Sequence, residues 1–233
     1  MDIPIYCVNY KNEERKTRMC NRFLQIGITL KFVNEVNSDD SRINYDINIG
    51  TKRVWAIMLQ HLDCIRDFYE NTDKQYCIVC EDDILISKDY PIIIDEIVNK
   101  FEELQLDILL LGYLLPFKIS KTEMNQQYFK ILSSDKNNFT YHSYPDDIWG
   151  TQMYLISREY AYFLLNKYTP EYAFTNINTL NYSPDWIISK NGNRAIINNM
   201  VAVEEGINVS DDYSQQYFHK RCYECNYDPN KFI

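Results

Sequence analysis

Glycine and proline are scarce in this chain of 233 residues, at 6 and 7. With 45% hydrophobic residues and no internal repeat, that excludes a low-complexity chain and leaves a globular one, expected as a single domain over 1–233. No apolar run approaches a membrane span, and Met1-Asp-Ile-Pro opens straight into a strand-like segment without a basic leader or signal core. Its Phe-Ile ending is not a luminal retention signal. Positive charge is short as well: 24 Lys and Arg against 33 Asp and Glu leave a net −9, which argues against a nucleic-acid partner. The seven cysteines are an odd number in mostly apolar or helical contexts, as at Cys7, Cys20 and Cys64. They read as free thiols of a reducing compartment, so a cytoplasmic location is expected. Cys77 and Cys80 stand three apart on a strand-like run and so point to opposite faces, which argues against a four-cysteine zinc site with Cys222 and Cys225. The bias towards Asn, Ile, Tyr and Lys reads as AT-rich coding, of a viral or protist kind.

What is present reads as alternating strands and helices. Ile3 to Asn9 is expected as a strand, Asn12 to Ile26 as a helix stopped by Gly27, and Leu30 to Val36 as a second strand, the opening of a parallel α/β sheet. Asp39 to Gly50 is polar and loop-like. From Lys52 to Tyr69, Trp55, Met58, Leu62, Ile65 and Tyr69 recur at helical spacing. Tyr76 to Cys80 is strand-like, Pro91 suits the first turn of a helix reaching Leu104, and Asp107 to Gly112 is another buried strand. The stretch from 116 to about 148 is weakly periodic and is expected as a long excursion over one end of the sheet, on the acceptor side. Trp149 to Ser157 reads as strand, Arg158 to Tyr168 as helix, Ser183-Pro-Asp185 as the start of a helix through Ile188, and Arg194 to Asn198 as a last strand. The segment from about 204 to 233 reads as a tail.

The run Tyr76-Cys-Ile-Val-Cys-Glu-Asp-Asp carries the chemistry. An unbroken apolar run is a strand buried on both faces, so Glu81, Asp82 and Asp83 mark where its carboxyl end leaves the core, the edge at which open α/β sheets bind ligands. Like charges packed so closely call for a cation or donor groups, and hard oxygen ligands suit Mg²⁺ or Mn²⁺. A solvated acidic turn reads the same triplet without chemistry.

Several segments, in order, resemble glycosyltransferase family 25, which includes lipopolysaccharide-type galactosyltransferases and collagen hydroxylysine galactosyltransferases. They are Ile5-Tyr-Cys-Val-Asn9 with Glu14-Arg15 and Arg18, residues 54–61, Cys80-Glu-Asp-Asp-Ile-Leu, Trp149-Gly-Thr with Tyr154 and Ile156-Ser-Arg158, and Pro184-Asp185. The resemblance covers most of 3–211 and departs at Gln60, which stands before His61 where the family usually has serine. It implies a glycosyltransferase-A-like single α/β domain, a mixed, mostly parallel sheet flanked by helices. It also implies transfer of galactose or glucose from a UDP-sugar (UDP-glucose or UDP-galactose) to a hydroxyl, with inversion and with Mn²⁺, or Mg²⁺, as cofactor. Expected acceptors are hydroxylysine or galactosyl-hydroxylysine of a collagen-like protein, or a lipooligosaccharide-type glycan.

Within that reading Asp83 is the expected metal ligand, with His219 as a second and His142 as its rival. Glu81 and Asp82 are placed at the ribose or at basic groups beside the nucleotide. Asp185 is the leading general base and Asp211 its alternative. Arg15 and Arg18, after the first strand, are positioned for a diphosphate, although the same helix carries Lys16 and Arg22 and reads equally as a solvated face. Asn9 and Gly150 belong to the matching blocks, Tyr10 and Trp149 are stacking candidates, and His61 stands behind the nucleotide site or in the core. Two rivals stand beside this reading: a Mg²⁺-dependent phosphotransferase, and a carbohydrate-binding module that lost catalysis, for which the altered Gln60 is the sign.

Overall fold

The computed structural model describes residues 2–120, 127–206 and 212–233. Its centre is a mixed seven-stranded sheet of β1 (Ile5–Val8), β2 (Tyr76–Glu81), β4 (Ile108–Leu114), β5 (Ile131–Ser134), β6 (Thr140–His142), β7 (Trp149–Ser157) and β8 (Arg194–Asn198). The order across it is β1-β2-β7-β4-β8-β6-β5. Strands β1, β2, β4, β5 and β8 run one way, β6 and β7 the other. A second, two-stranded ribbon pairs β3 (Ile84–Ile86) with β9 (Ala202–Glu204).

Both faces of the sheet are covered, which is why β2 and β4 read as continuous apolar runs. On one face lie α2 (Ile49–Asn71) and α4 (Arg158–Lys167), with Cys77, Val79, Ile108 and Tyr154 pointing into their layer. On the other lie α1 (Glu13–Leu24) and α3 (Tyr90–Glu103), against Cys7, Ile78, Cys80 and Leu109. Cys77 and Cys80 therefore sit in different layers, and all seven cysteines are free. Helix α1 starts where Asn12 accepts from the Arg15 amide, and α2 where Asn48 accepts from that of Thr51. Two shorter helices, α5 (Pro170–Thr175) and α6 (Pro184–Ile187), follow α4.

Three expectations are corrected. Leu30 to Val36 is not a strand of the sheet: Lys31 alone bridges Tyr6, through amide exchange with Ile5 and Cys7, and the chain then leaves. The described part of the 116–148 excursion supplies β5 and β6, which extend the sheet at one edge. The tail is structured: after β9 comes α7 (Tyr213–Asn226), pinned to the end of β4 by Asn226 and Cys225 on the carbonyls of Leu115 and Pro116. Ile233 then exchanges backbone hydrogen bonds with Ile86 on β3. Among the described residues no helix is long and apolar enough to cross a membrane.

Candidate active site

Strand β2 ends where the antiparallel β7 begins, Cys80 lying opposite Met153, so Glu81 comes beside Thr151 and Gly150 at one sheet edge. The next two residues turn into β3, whose partner β9 delivers Glu204 opposite Ile84. Glu205 then donates its amide to the Asp83 carbonyl at 2.8 Å. Four carboxylates from two distant parts of the sequence, Glu81, Asp82, Asp83 and Glu204, are thus gathered by backbone pairing.

They are not neutralised alike. Asp82 accepts from Asn9 Nδ2 at 2.5 Å and from Arg15 at 2.9 Å, and Asn9 is itself tied to the Asn12 carbonyl. Among the described residues, the Asp83 side chain receives only the same Arg15 nitrogen, through Oδ2 at 3.4 Å, and its Oδ1 is buried without a partner. Burial, then Glu204, push the Asp83 carboxyl up to about 7. Burial, then Asp83, Asp185 and Glu204, hold Glu81 well above the carboxylate range. His219 on α7 meets both Glu204 oxygens, at 2.9 and 2.7 Å; burial alone would lower its pKa, and the Glu204 carboxylate overcomes that and raises it.

Asp185 sits in the first turn of α6, and its Oδ1 accepts from Gly150 N at 2.8 Å, Thr151 N at 3.2 Å and Thr151 Oγ1 at 3.0 Å. Gly150 packs closely on β4: a Cβ there would lie 2.3 Å from Leu110 Cδ1, so a larger residue would require that side chain to move. The Thr151 hydroxyl also lies 3.1 Å from Glu81 Oε1; having one proton to give, it couples the two carboxylates. Oδ2 of Asp185 takes no protein donor among the described residues.

The other expected residues divide. Asn9, Arg15, Glu81, Asp82, Asp83, Gly150, Asp185 and His219 come together. Arg18 does not join them: it pairs with Glu205 at 2.8 Å, as does Arg22. Tyr10 is half exposed and donates to Asn37. His61 is fully buried, its Nδ1 3.0 Å from the Tyr154 hydroxyl, and burial lowers its pKa to about 3, so it is a neutral core residue closed off from any nucleotide. His142 is corrected as a metal ligand: it lies in the edge strand β6, its nitrogens engaged by the Phe129 carbonyl and Thr140 Oγ1. Asp211 falls outside the described residues. Gln60 is buried and donates to the Asn9 carbonyl at 2.6 Å, tying α2 to the end of β1, so at the position of departure this side chain has a structural partner. Sequence reasoning missed Thr151, Glu204 and the Glu205 clamp. The signal for Glu204 was there, since Val201-Ala-Val ends on Glu204-Glu205 as Tyr76 to Cys80 ends on its acids.

For a divalent cation the donor set is suitable: the orphaned Asp83 oxygen, further hard carboxylate oxygens and an imidazole. Among the described residues no three such side chains converge closely enough to hold an ion unaided. An ion held here would need further oxygens, from a substrate or water, to fill its coordination shell.

The chain belongs to glycosyltransferase family 25 (LPS biosynthesis protein), whose model matches residues 2–178, and the family carries glycosyltransferase activity with it. No curated protein matches the chain. Among solved structures, A197 from STIV is similar with 15% identity and a TM-score of 0.39, over 83% of this chain and 80% of that one. HddC from Yersinia pseudotuberculosis has 13% identity and a TM-score of 0.35, over 94% and 77%. A putative glucose-1-phosphate thymidylyltransferase from Bacillus anthracis has 11% identity and a TM-score of 0.40, over 96% and 77%.

Proposed function

We propose that this glycosyltransferase moves a hexose, galactose or glucose, from a uridine diphosphate sugar to a hydroxyl of a glycan acceptor, using Mn²⁺ or Mg²⁺. The observation that carries the reading is Asp83: a buried carboxylate oxygen without a partner, beside Glu81 and Glu204, at the carboxyl end of β2. Asp83 would hold the cation, with the Glu204–His219 pair as its neighbour. A cation there stabilises the negative charge that builds on the diphosphate as the anomeric bond breaks. Arg15, held against Asp82 and Asp83, brings fixed positive charge to the same place.

Asp185 is the base. As the acceptor oxygen bonds to the anomeric carbon and the bond to the diphosphate oxygen breaks, the hydroxyl proton passes to the Asp185 carboxylate. Gly150 and Thr151 hold its Oδ1, so the carboxylate is oriented before the acceptor arrives. A glycan acceptor is preferred to hydroxylysine of a collagen-like protein because the family description names lipopolysaccharide biosynthesis. The test is a screen of nucleotide sugars with Mn²⁺, following UDP release with and without added glycans. UDP release from UDP-galactose or UDP-glucose supports the reading; release from neither, with Mn²⁺ or Mg²⁺, overturns it.

A further inference from the structure

Three aromatic rings meet at the chain neighbours of Gly150, Asp185 and His219. Trp149 lies edge-to-face with Trp186, centroids 6.1 Å apart, and with Phe218 at 6.0 Å. The rings come from three elements, β7, α6 and α7, and each is the chain neighbour of a residue of the site. Trp149 precedes Gly150, Trp186 follows Asp185, and Phe218 precedes His219.

All three rings are half-buried, whereas the remaining tryptophan, Trp55, is a core residue with 3% of its surface exposed. Edge-to-face packing fixes rings without laying one flat on another, so aromatic surface remains for a ligand. The Lys190 ammonium lies 5.6 Å from the Trp186 centroid and 5.5 Å from that of Tyr144, which further fixes the indole. Rigid aromatic surface alongside a carboxylate matches a pyranose, which has a face of C–H groups and a rim of hydroxyls.

We infer that Trp186, with Trp149 and Phe218, forms the acceptor subsite: a stacking surface for a pyranosyl residue that presents one hydroxyl to Asp185. This rests on the transferase reading above and deepens it, because it gives Trp186, with Trp149 and Phe218, the recognition of the acceptor's sugar ring. Trp149, a stacking candidate in the nucleotide site by sequence, falls on the acceptor side.

The experiment takes methyl β-galactopyranoside and methyl β-glucopyranoside as acceptor probes, a hydroxylysine peptide as the competing class, and the wild type with Trp186→Ala and Trp186→Phe. A pyranoside should quench or shift the tryptophan fluorescence of the wild type, and less so that of Trp186→Ala. The acceptor KM should rise about three- to tenfold in Trp186→Ala and recover most of that in Trp186→Phe, the range expected for one aromatic contact. UDP affinity with Mn²⁺ should be retained in both variants. The inference is overturned if neither pyranoside perturbs the fluorescence, if Trp186→Phe is as impaired as Trp186→Ala, if UDP affinity falls with the indole, or if only the peptide engages. The fluorescence titration needs no turnover, so a protein that binds pyranosides at Trp186 and releases no UDP from any donor sinks the transferase reading and spares the subsite.

Discussion

Two neighbouring glutamates meet opposite fates. Glu205 is enclosed by two arginines of α1, Arg18 and Arg22, each at 2.8 Å, and Arg22 also reaches the Ile84 carbonyl. Its charge is balanced within the chain, and the cluster clamps the second half of α1 to the β3–β9 ribbon. One residue earlier, Glu204 lies near Asp83 and Glu81, where the described residues supply as positive charge only the shared Arg15 and the His219 imidazole. Charge balanced by the chain is architecture, while charge left unbalanced is a place for a ligand.

The sharpest break of that comparison is chemical. Asp185→Asn keeps the acceptor of the Gly150 and Thr151 hydrogen bonds and removes the proposed base, so transfer should fall by about 10²–10⁴-fold while UDP affinity is kept. Steady-state transfer and UDP titration on one preparation check both halves. A near-normal rate would remove Asp185 as the base.

On the balanced side the loss is structural. Glu205→Ala leaves the buried Arg22 guanidinium facing Arg18 without a counter-charge, and should cost about 3–5 kcal/mol in urea unfolding. A cost within experimental error would show that the clamp is not holding the ribbon.

On the unbalanced side the sign reverses. Asp83 and His219 both have folded-state pKa values raised above their unfolded ones, so each favours the folded protein at low pH and withdraws that stability as pH rises. For Asp83 the contribution is complete below about 4 and lost by about 7. Without metal, Asp83→Asn should therefore be the more stable protein at pH 8, with Tm up by roughly 2–4 °C for each kcal/mol recovered. Differential scanning calorimetry in chelator checks this, and a lower Tm for the variant would contradict the un-neutralised charge. If Asp83 holds Mn²⁺ as proposed, the ion displaces the Asp83 proton, and its affinity should rise with pH up to about 7.

The smallest effect is expected at Arg18, whose side chain is 38% exposed and whose partner Glu205 keeps Arg22. Arg18→Ala should cost about 0–1 kcal/mol in urea unfolding and leave UDP affinity unchanged. Weakened UDP binding would return Arg18 to the diphosphate.

Much of the fold was legible because burial on both faces writes an unbroken apolar run: β2, β4 and β7 were readable within a residue or two, and α2 within three from its spacing. The acids after β2 stood out for the same reason. What was illegible depends on pairing between distant segments. Leu30 to Val36 has strand composition, yet the chain pairs only at Lys31. Val201 to Glu204 reads as the edge of a tail until β3 pairs with it and carries Glu204 to Asp83. Thr151 gained its place from the antiparallel register of β7 on β2, which no local pattern states. Helix α7, polar along most of its length, gives little period to read, and His219 became interpretable only with Glu204 beside it.

Calorimetric titration of UDP into the wild type and Asp83→Asn at pH 8, with Mn²⁺ and again with chelator, tests most directly that the unbalanced acids form a cation-dependent nucleotide site. UDP should bind the wild type only with Mn²⁺, and Asp83→Asn, folded by circular dichroism, should show no Mn²⁺-dependent heat. Equal UDP affinity in chelator, or in the folded variant, would contradict it.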